Sequence, residues 1–405
     1  MEKQKKIPQL RFPEFEGEWE KNILNDTCTI IGGGTPNSGK EEFWNGHIQW
    51  FTPTEIKMDY VSKSERTITE LGLKKSSANF LPKGTILLTS RATIGEVAIA
   101  LNECTTNQGF QSLIVNKLYN NLFIFNWIKN NRYEFVRRAN GSTFLEISKS
   151  EIGKIPIYIP TLPEQQKIAS FFTAIDQKIS QLKSKKTLLE QYKKGVMQKI
   201  FSQEIRFKDD NGQEFPKWEK KKLSEISDRR TAKNNEGNEN VLTISAQYGL
   251  VSQLDFFNKS VAANDLSGYY LLRKDDFVYN RSYSAGYPMG AFKRLKLYDR
   301  GVVSTLYICF TFNSDTNLSF IEQYFESGRH NREIERIAQE GARNHGLLNI
   351  GVGDFFNTEI LLPSLPEQTK IANFLSAIDV KINHTQKQIE KAEVWKKGLM
   401  QQMFV

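Results

Sequence analysis

Two stretches of the chain carry the same apolar stripe. From Pro163 onward, steps alternating four and three lead through Ile168, Phe172, Ile175, Ile179, Leu182, Lys186, Leu189, Lys193, Val196 and Ile200. From Pro366 the same steps give Ile371, Leu375, Ile378, Ile382, Thr385, Ile389, Ala392, Lys396, Leu399 and Met403. All but two positions in each series are apolar, which predicts a long helix with a coiled-coil seam in each place. Pro163 and Pro366 suit a first helical turn, and the Glu-Gln after each suits the positive end of the helix dipole. Gly195 and Gly398 weaken the last turns. A helix from Pro163 to Phe201 is roughly 58 Å long, the length of roughly 17 base pairs of DNA. Each helix could pack only on its own surroundings. The economical arrangement of two matched stripes is an antiparallel intramolecular coiled coil that sets a fixed distance between its flanks.

The stripes belong to an internal repeat. Residues 162–179 (LPEQQKIASFFTAIDQKI) and 365–382 (LPEQTKIANFLSAIDVKI) are identical at 13 of 18 positions, offset by 203. The same offset carries Tyr192-Lys-Lys-Gly-Val-Met-Gln onto Trp395-Lys-Lys-Gly-Leu-Met-Gln, and Phe201 onto Phe404. A weaker echo links Leu10-Arg-Phe with Ile205-Arg-Phe, each followed by Trp-Glu-Lys. Residues 27–150 and 227–350 share almost no aligned identity, although both mix short β-type runs with turns. One local echo survives, Lys83 to Arg91 against Lys274 to Arg281, each a strand ending at an exposed turn, which puts Arg91 and Arg281 at corresponding positions. The expected fold is a multidomain α/β (α+β) tandem repeat with pseudo-twofold character. Two globular bodies, 1–160 and 205–362, are separated by long antiparallel helices at 161–204 and 363–405.

Composition narrows the function. Lys plus Arg number 55 against 46 Asp plus Glu, a net charge of +9 in 405 residues, which favours a polyanionic partner. No apolar run reaches the roughly 18 residues of a membrane span, and no signal-peptide core follows the N-terminus. Three cysteines and four histidines, all scattered, suggest neither a disulfide framework nor a structural zinc. A soluble protein of a reducing compartment is expected. Gly34-Thr-Pro-Asn-Ser-Gly39-Lys40 matches a phosphate-binding loop up to its lysine, but Glu41 stands where Ser or Thr must bind magnesium. An Asn-Pro-Pro or Asp-Pro-Pro methylase loop is absent, and Glu55-Ile-Lys57 is a nuclease fragment without an acidic partner. No active site shows itself.

Nucleic-acid features are better represented. Arg91 and Arg281, flanked by Thr89-Ser90 and by Asn280, Ser282 and Tyr283, carry the side chains that pair bidentately with guanine and adenine edges in the major groove. Lys83 opens the first of these strands. Near the end of each body lies a small polar loop, with Ser142 and Thr143 after Arg138 in the first and Arg343 and Asn344 in the second. Phosphate contacts would position each body while a few loop residues specify sequence.

The duplicated LPEQ-x-KIA-x-F-x-x-AID-x-KI segment and its YKKGVMQ/WKKGLMQ continuation resemble the specificity subunit of type I restriction-modification systems. The resemblance covers essentially the whole chain, including LRFPEF at 10–15 and Tyr279 to Ser284. It implies two α/β target recognition domains on two long conserved helices, each reading one half of a bipartite double-stranded DNA site. It implies no catalysis and no cofactor in this chain. Two methyltransferase subunits would dock on the helical frame and methylate adenine with S-adenosylmethionine. Restriction subunits with ATP and magnesium would join that core in the bacterial cytoplasm. Phe171, Asp176, Phe374 and Asp379 are repeated yet lie off the seam, so they are candidates for methyltransferase docking. Two alternatives stay open: a self-sufficient DNA methyltransferase or nuclease, and a coiled-coil adaptor that binds only protein.

Overall fold

A computed structural model of the chain describes residues 6–141, 145–245, 248–257, 265–284, 286–338 and 348–405. The stripes fold as single helices, Leu162–Phe201 and Leu365–Met403. The chain packs as two compact units. One holds the residues up to Lys183 together with Lys387–Val405, and the other is Ser184–Gln386. Each long helix is therefore shared, its first half in one unit and its second half in the other.

Within each unit the two half-helices lie against one another in opposite senses. In the first unit Ile168, Phe172, Ile175 and Ile179 share a core with Leu399, Met400, Met403 and Phe404, and the rings of Phe172 and Phe404 stack at 5.9 Å. In the second, Met197, Ile200 and Phe201 share a core with Ile371, Leu375 and Ile378, with Ile382 at its edge. Lys193 meets Asp379 at 2.7 Å in the second unit, and Lys396 meets Asp176 at 2.5 Å in the first. Shifting both partners by the repeat offset of 203 turns one pair into the other, so the helix pairing is itself duplicated. Leu182 and Ile389 are buried, whereas Leu189 and Ile382 are half-covered.

The stripe does more than join the helices. In the first unit the same side of the helix also covers Trp19, Phe123, Trp127 and Phe135 of the body. The second unit does likewise with Trp218, Phe320 and Phe355. The two readings of the stripe, helix partner or own body, therefore both hold, because a broad apolar face has room for both neighbours.

The bodies share a backbone plan that their side chains hide. In the first, Glu20–Ile23 pairs antiparallel with Pro156–Ile159, the strand leading into the long helix. A helical turn, Leu24–Thr27, then leads to Cys28–Gly32. Cys28–Gly32 opens a sheet ordered Cys28–Gly32, Gln111–Val115, Ile86–Leu88, Val97–Ala100, Tyr60–Val61. In the second, Glu219–Lys222 pairs with Glu359–Leu362. Leu223–Ile226 then leads to a sheet ordered Ser227–Arg229, Ile308–Phe312, Phe277–Asn280, Ala291–Arg294. A helix follows the second strand of each order, Asn121–Asn130 and Leu318–Glu326. The first body adds a three-stranded sheet of Arg66–Ile68, Trp44–Phe51 and Thr105–Thr106. The second adds two antiparallel strand pairs instead, the hairpin Leu242–Ser245 with Gly249–Ser252 and the long-range pair Tyr270–Arg273 with Arg300–Val303.

Strand pairing fixes which residues correspond. Ile86 lies opposite Leu113, and Phe277 lies opposite Phe310. Gly84 and Asp275, two residues before these, both adopt positive φ, +90° and +75°. Counting onward, Arg281 corresponds to Ser90 and not to Arg91. The backbone agrees: Ile147 donates its N–H to the Ser90 carbonyl (3.1 Å) as Leu348 does to that of Arg281 (3.0 Å). The expected correspondence of the two arginines is thus off by one residue, which in a strand turns a side chain to the opposite face.

After Lys40, a single 3-10 turn, Glu41–Phe43, runs straight into the strand Trp44–Phe51, leaving no helix whose N-terminus could hold a phosphate. Cys28, Cys104 and Cys309 are free and buried. Among the described residues no helix is long and apolar enough to cross a membrane, and no cluster of His, Cys, Asp and Glu could hold a metal ion.

Candidate nucleic-acid interface

The repeated LPEQ segment is an anchor. Glu164 and Glu367 are almost wholly buried at the helix starts. Glu164 accepts from the Arg11 guanidinium at 2.8 and 2.7 Å, and Glu367 accepts from Arg206 at 3.2 and 2.7 Å. These bonds hold both guanidinium pKa values above the ordinary one. The next residue ties in the body. Gln165 donates to the Pro160 carbonyl and accepts the Asn120 N–H, 2.9 and 2.8 Å. Gln368 does the same with Pro363 and Asn317, both at 2.8 Å. Asn120 and Asn317 cap the body helices Asn121–Asn130 and Leu318–Glu326. One arginine from the LRF echo, one glutamate and one glutamine thus lock each body to its helix by identical bonds. Sequence reading had only the echo of Leu10-Arg-Phe and Ile205-Arg-Phe as a signal for this.

On that frame the first body presents its polar loops. Thr89 and Ser90 are fully buried. The Thr89 hydroxyl donates to the Thr93 carbonyl at 2.6 Å, so neither residue is placed to reach a base, contrary to expectation. Lys83 is exposed, but it precedes the strand Ile86–Leu88 whereas Arg91 follows it, so the two sit at opposite strand ends. Arg91 is part-exposed and ion-paired with Glu146 at 2.8 Å. Arg138 is largely covered and lies 3.7 Å from Glu134. Ser142, Thr143, Arg343 and Asn344 lie outside the described residues.

In the second body, Arg281 clamps the backbone. Its guanidinium donates to the Leu306 carbonyl (3.2 and 2.9 Å) and to the Ile350 carbonyl (3.3 Å). The Nε edge of the guanidinium is thus engaged within the body, and Arg281 braces the turn between Leu306 and Ile350. Asn280 accepts the Ser282 N–H at 3.0 Å, shaping the turn that leaves Tyr283 exposed. Thr305 and Leu306 stand exposed beside that brace.

The docking candidates are also engaged internally. Phe171 packs edge-on between Phe12 and Trp395, 5.6 and 6.2 Å, and Phe374 packs on Phe207 at 5.5 Å. Asp176 and Asp379 hold the interhelical lysines, and Asp379 also accepts from Gln323 at 2.8 Å. All four belong to the frame, which explains their repetition. On the two long helices the exposed aromatics are Tyr192 and Trp395, equivalent under the offset and 53% and 54% exposed.

The class these features define is a tandem-repeat protein: a duplicated helical frame with identical anchors, carrying two bodies of one backbone plan and divergent exposed loops. A family model, the Type I restriction modification DNA specificity domain, matches residues 16–191 and again 216–394; the chain belongs to this family. It is similar to the Type I restriction enzyme MjaIX specificity subunit of Methanocaldococcus jannaschii, 36% identical over 222 residues, 52% of this chain and 51% of that one. It is also similar to the EcoR124I/EcoR124II specificity subunit of Escherichia coli, 29% identical over 174 residues, 41% and 43% of the two chains. The chain spans about half the length of the curated relatives it matches. The solved S subunit of a type I system from M. genitalium shares the fold along the whole length, at 17% identity, TM-score 0.57, and coverage of 98% and 99%.

Proposed function

We propose that this chain is the non-catalytic specificity subunit of a type I restriction-modification complex of the bacterial cytoplasm, reading double-stranded DNA at a bipartite site. Each body recognises one half-site from the major groove, and the helix pair fixes the unread gap between them. The observation that carries the reading is the duplicated anchor, Arg11–Glu164–Gln165 and Arg206–Glu367–Gln368. A frame built twice with the same bonds, around bodies whose loops differ, suits two different readers held for two copies of one partner. That partner is an adenine methyltransferase subunit supplying S-adenosylmethionine chemistry. Restriction subunits using ATP and magnesium join through it, and this chain itself holds no cofactor. Each docking surface is the outer side of the helix pair within one unit, around Tyr192 in one and Trp395 in the other, the repeated aromatic positions left open.

The test is methylome sequencing of a host expressing this chain with its methyltransferase. One heptad inserted after Lys185 and another after Gln386 keep the stripe in register. At about 1.5 Å per residue and about 3.4 Å per base pair, they should lengthen the gap by about three base pairs and leave both half-sites unchanged. Altered half-site bases, or an unaltered gap, would contradict the ruler.

A further inference from the structure

The glycine-rich stretch that fails as a phosphate loop performs another task in the first body. Gly33 and Gly34 donate their N–H groups to the carbonyls of Phe110 and Thr106, 3.4 and 2.9 Å. They press so close that a Cβ on Gly33 would lie 1.9 Å from the Asn107 carbonyl oxygen, and one on Gly34 2.3 Å from the Ala78 nitrogen. Only glycine fits there. This backbone contact sets Thr35 beside the turn Asn107–Phe110, where the Asn107 side chain accepts the Gly109 N–H at 2.8 Å. The turn is braced from its other side by the Ser90 N–H, which donates to the Gly109 carbonyl at 2.7 Å, next to the exposed Arg91. At its tip stands Gln108, exposed, with its amide oxygen accepting from the Thr35 hydroxyl. Among the described residues its amide N–H donors have no partner.

We infer that Gln108 is a base-reading residue of the first body and that Thr35 is its positioning residue; the inference rests on the DNA-recognition reading above. A glutamine reads adenine by accepting from N6 and donating to N7 with one amide edge. For that, the amide must be ordered before it meets DNA, because fixing a free side chain on binding subtracts from affinity. Thr35 supplies that order. Its hydroxyl takes one lone pair of the exposed Gln108 oxygen, leaving the second lone pair and both N–H donors without a partner among the described residues. The three glycine-locked and hydrogen-bonded strands of chain beneath keep the pair in place. The target is an adenine on one strand of the half-site read by this body.

The experiment is methylome mapping of the chain expressed with its methyltransferase, as wild type and as Gln108→Ala, Thr35→Val and Thr35→Ser. Gln108→Ala should relax one base pair of one half-site, reducing discrimination there by about 5- to 150-fold, with the other half-site and the gap unchanged. Thr35→Val should relax the same position less, and Thr35→Ser should keep the wild-type motif, since it restores the hydroxyl. A wild-type motif in Gln108→Ala overturns the assignment while the bipartite motif keeps the broader reading intact. Changes spread over both half-sites or the gap overturn it as well, because they mark a structural defect. A wild-type map without a bipartite motif overturns the assignment and the DNA-recognition reading together.

Discussion

Buried charge dictates the residue-scale behaviour. Glu367 has no exposed side-chain surface, and its partner Arg206 reaches it from a segment 161 residues away. Arg206→Met should therefore destabilise the second unit by about 3–5 kcal/mol, the cost of stranding a buried charge. Adding Glu367→Gln should recover most of it, and denaturant unfolding of the single and double variants measures both. His330 offers a pH test. It lies fully buried among Phe292, Tyr324 and Phe325, with Nε2 3.1 Å from the Thr358 hydroxyl, and burial pushes its pKa down to about 3. The unfolded chain, whose histidine titrates near its ordinary value, then binds more protons than the folded one at any pH between the two. Stability is full above about 6.5 and falls by about 1.4 kcal/mol per unit as pH drops below it. His330→Gln should remove that component, seen as a flatter difference in unfolding free energy between pH 6.5 and 4.

At the scale of elements, one ring closes each core. Phe404 packs on Trp19, Phe123 and Phe172, and Phe201 packs on Trp218, Phe320 and Tyr324. Phe404→Ala and Phe201→Ala should each cost about 3–5 kcal/mol. Thermal unfolding should show the loss in the first unit for one and in the second for the other. Both rings follow the apolar stripe, and their equivalence was legible from the offset of 203. The body strands were not. Ile86–Leu88 and Phe277–Asn280 occupy the same place in their sheets, yet backbone hydrogen bonds specify them, and such bonds leave no trace in side-chain identity. Hence Arg281 read as the partner of Arg91, while the fold sets it in the place of Ser90.

For the whole molecule, a basic excess of nine charges places the salt dependence of binding at the centre. Duplex affinity of the complex should fall linearly in log–log with salt, with a slope near −0.9 per phosphate neutralised. A protein-only adaptor would show no duplex binding to lose. Because the anchors are identical, exchanging residues 27–150 for the corresponding body of another family member should replace one half-site and leave the other half-site and the gap as they were. Methylome mapping of such a chimaera measures all three at once.

The linear chain by itself determined the frame: two amphipathic helices and their duplication. These are legible because a stripe and a repeat are properties of residue order. What only the tertiary structure decided is who meets whom. It turned Glu164 from a dipole residue into the buried partner of Arg11, and gave Phe171 and Asp176 partners within the frame. It buried Thr89 and Ser90, tied the Arg281 guanidinium to backbone carbonyls, and set Thr35 against Gln108 across 73 residues. Ion pairs and hydrogen bonds act over a few ångströms in space, and no spacing along the chain encodes which distant segments the fold will bring within that reach.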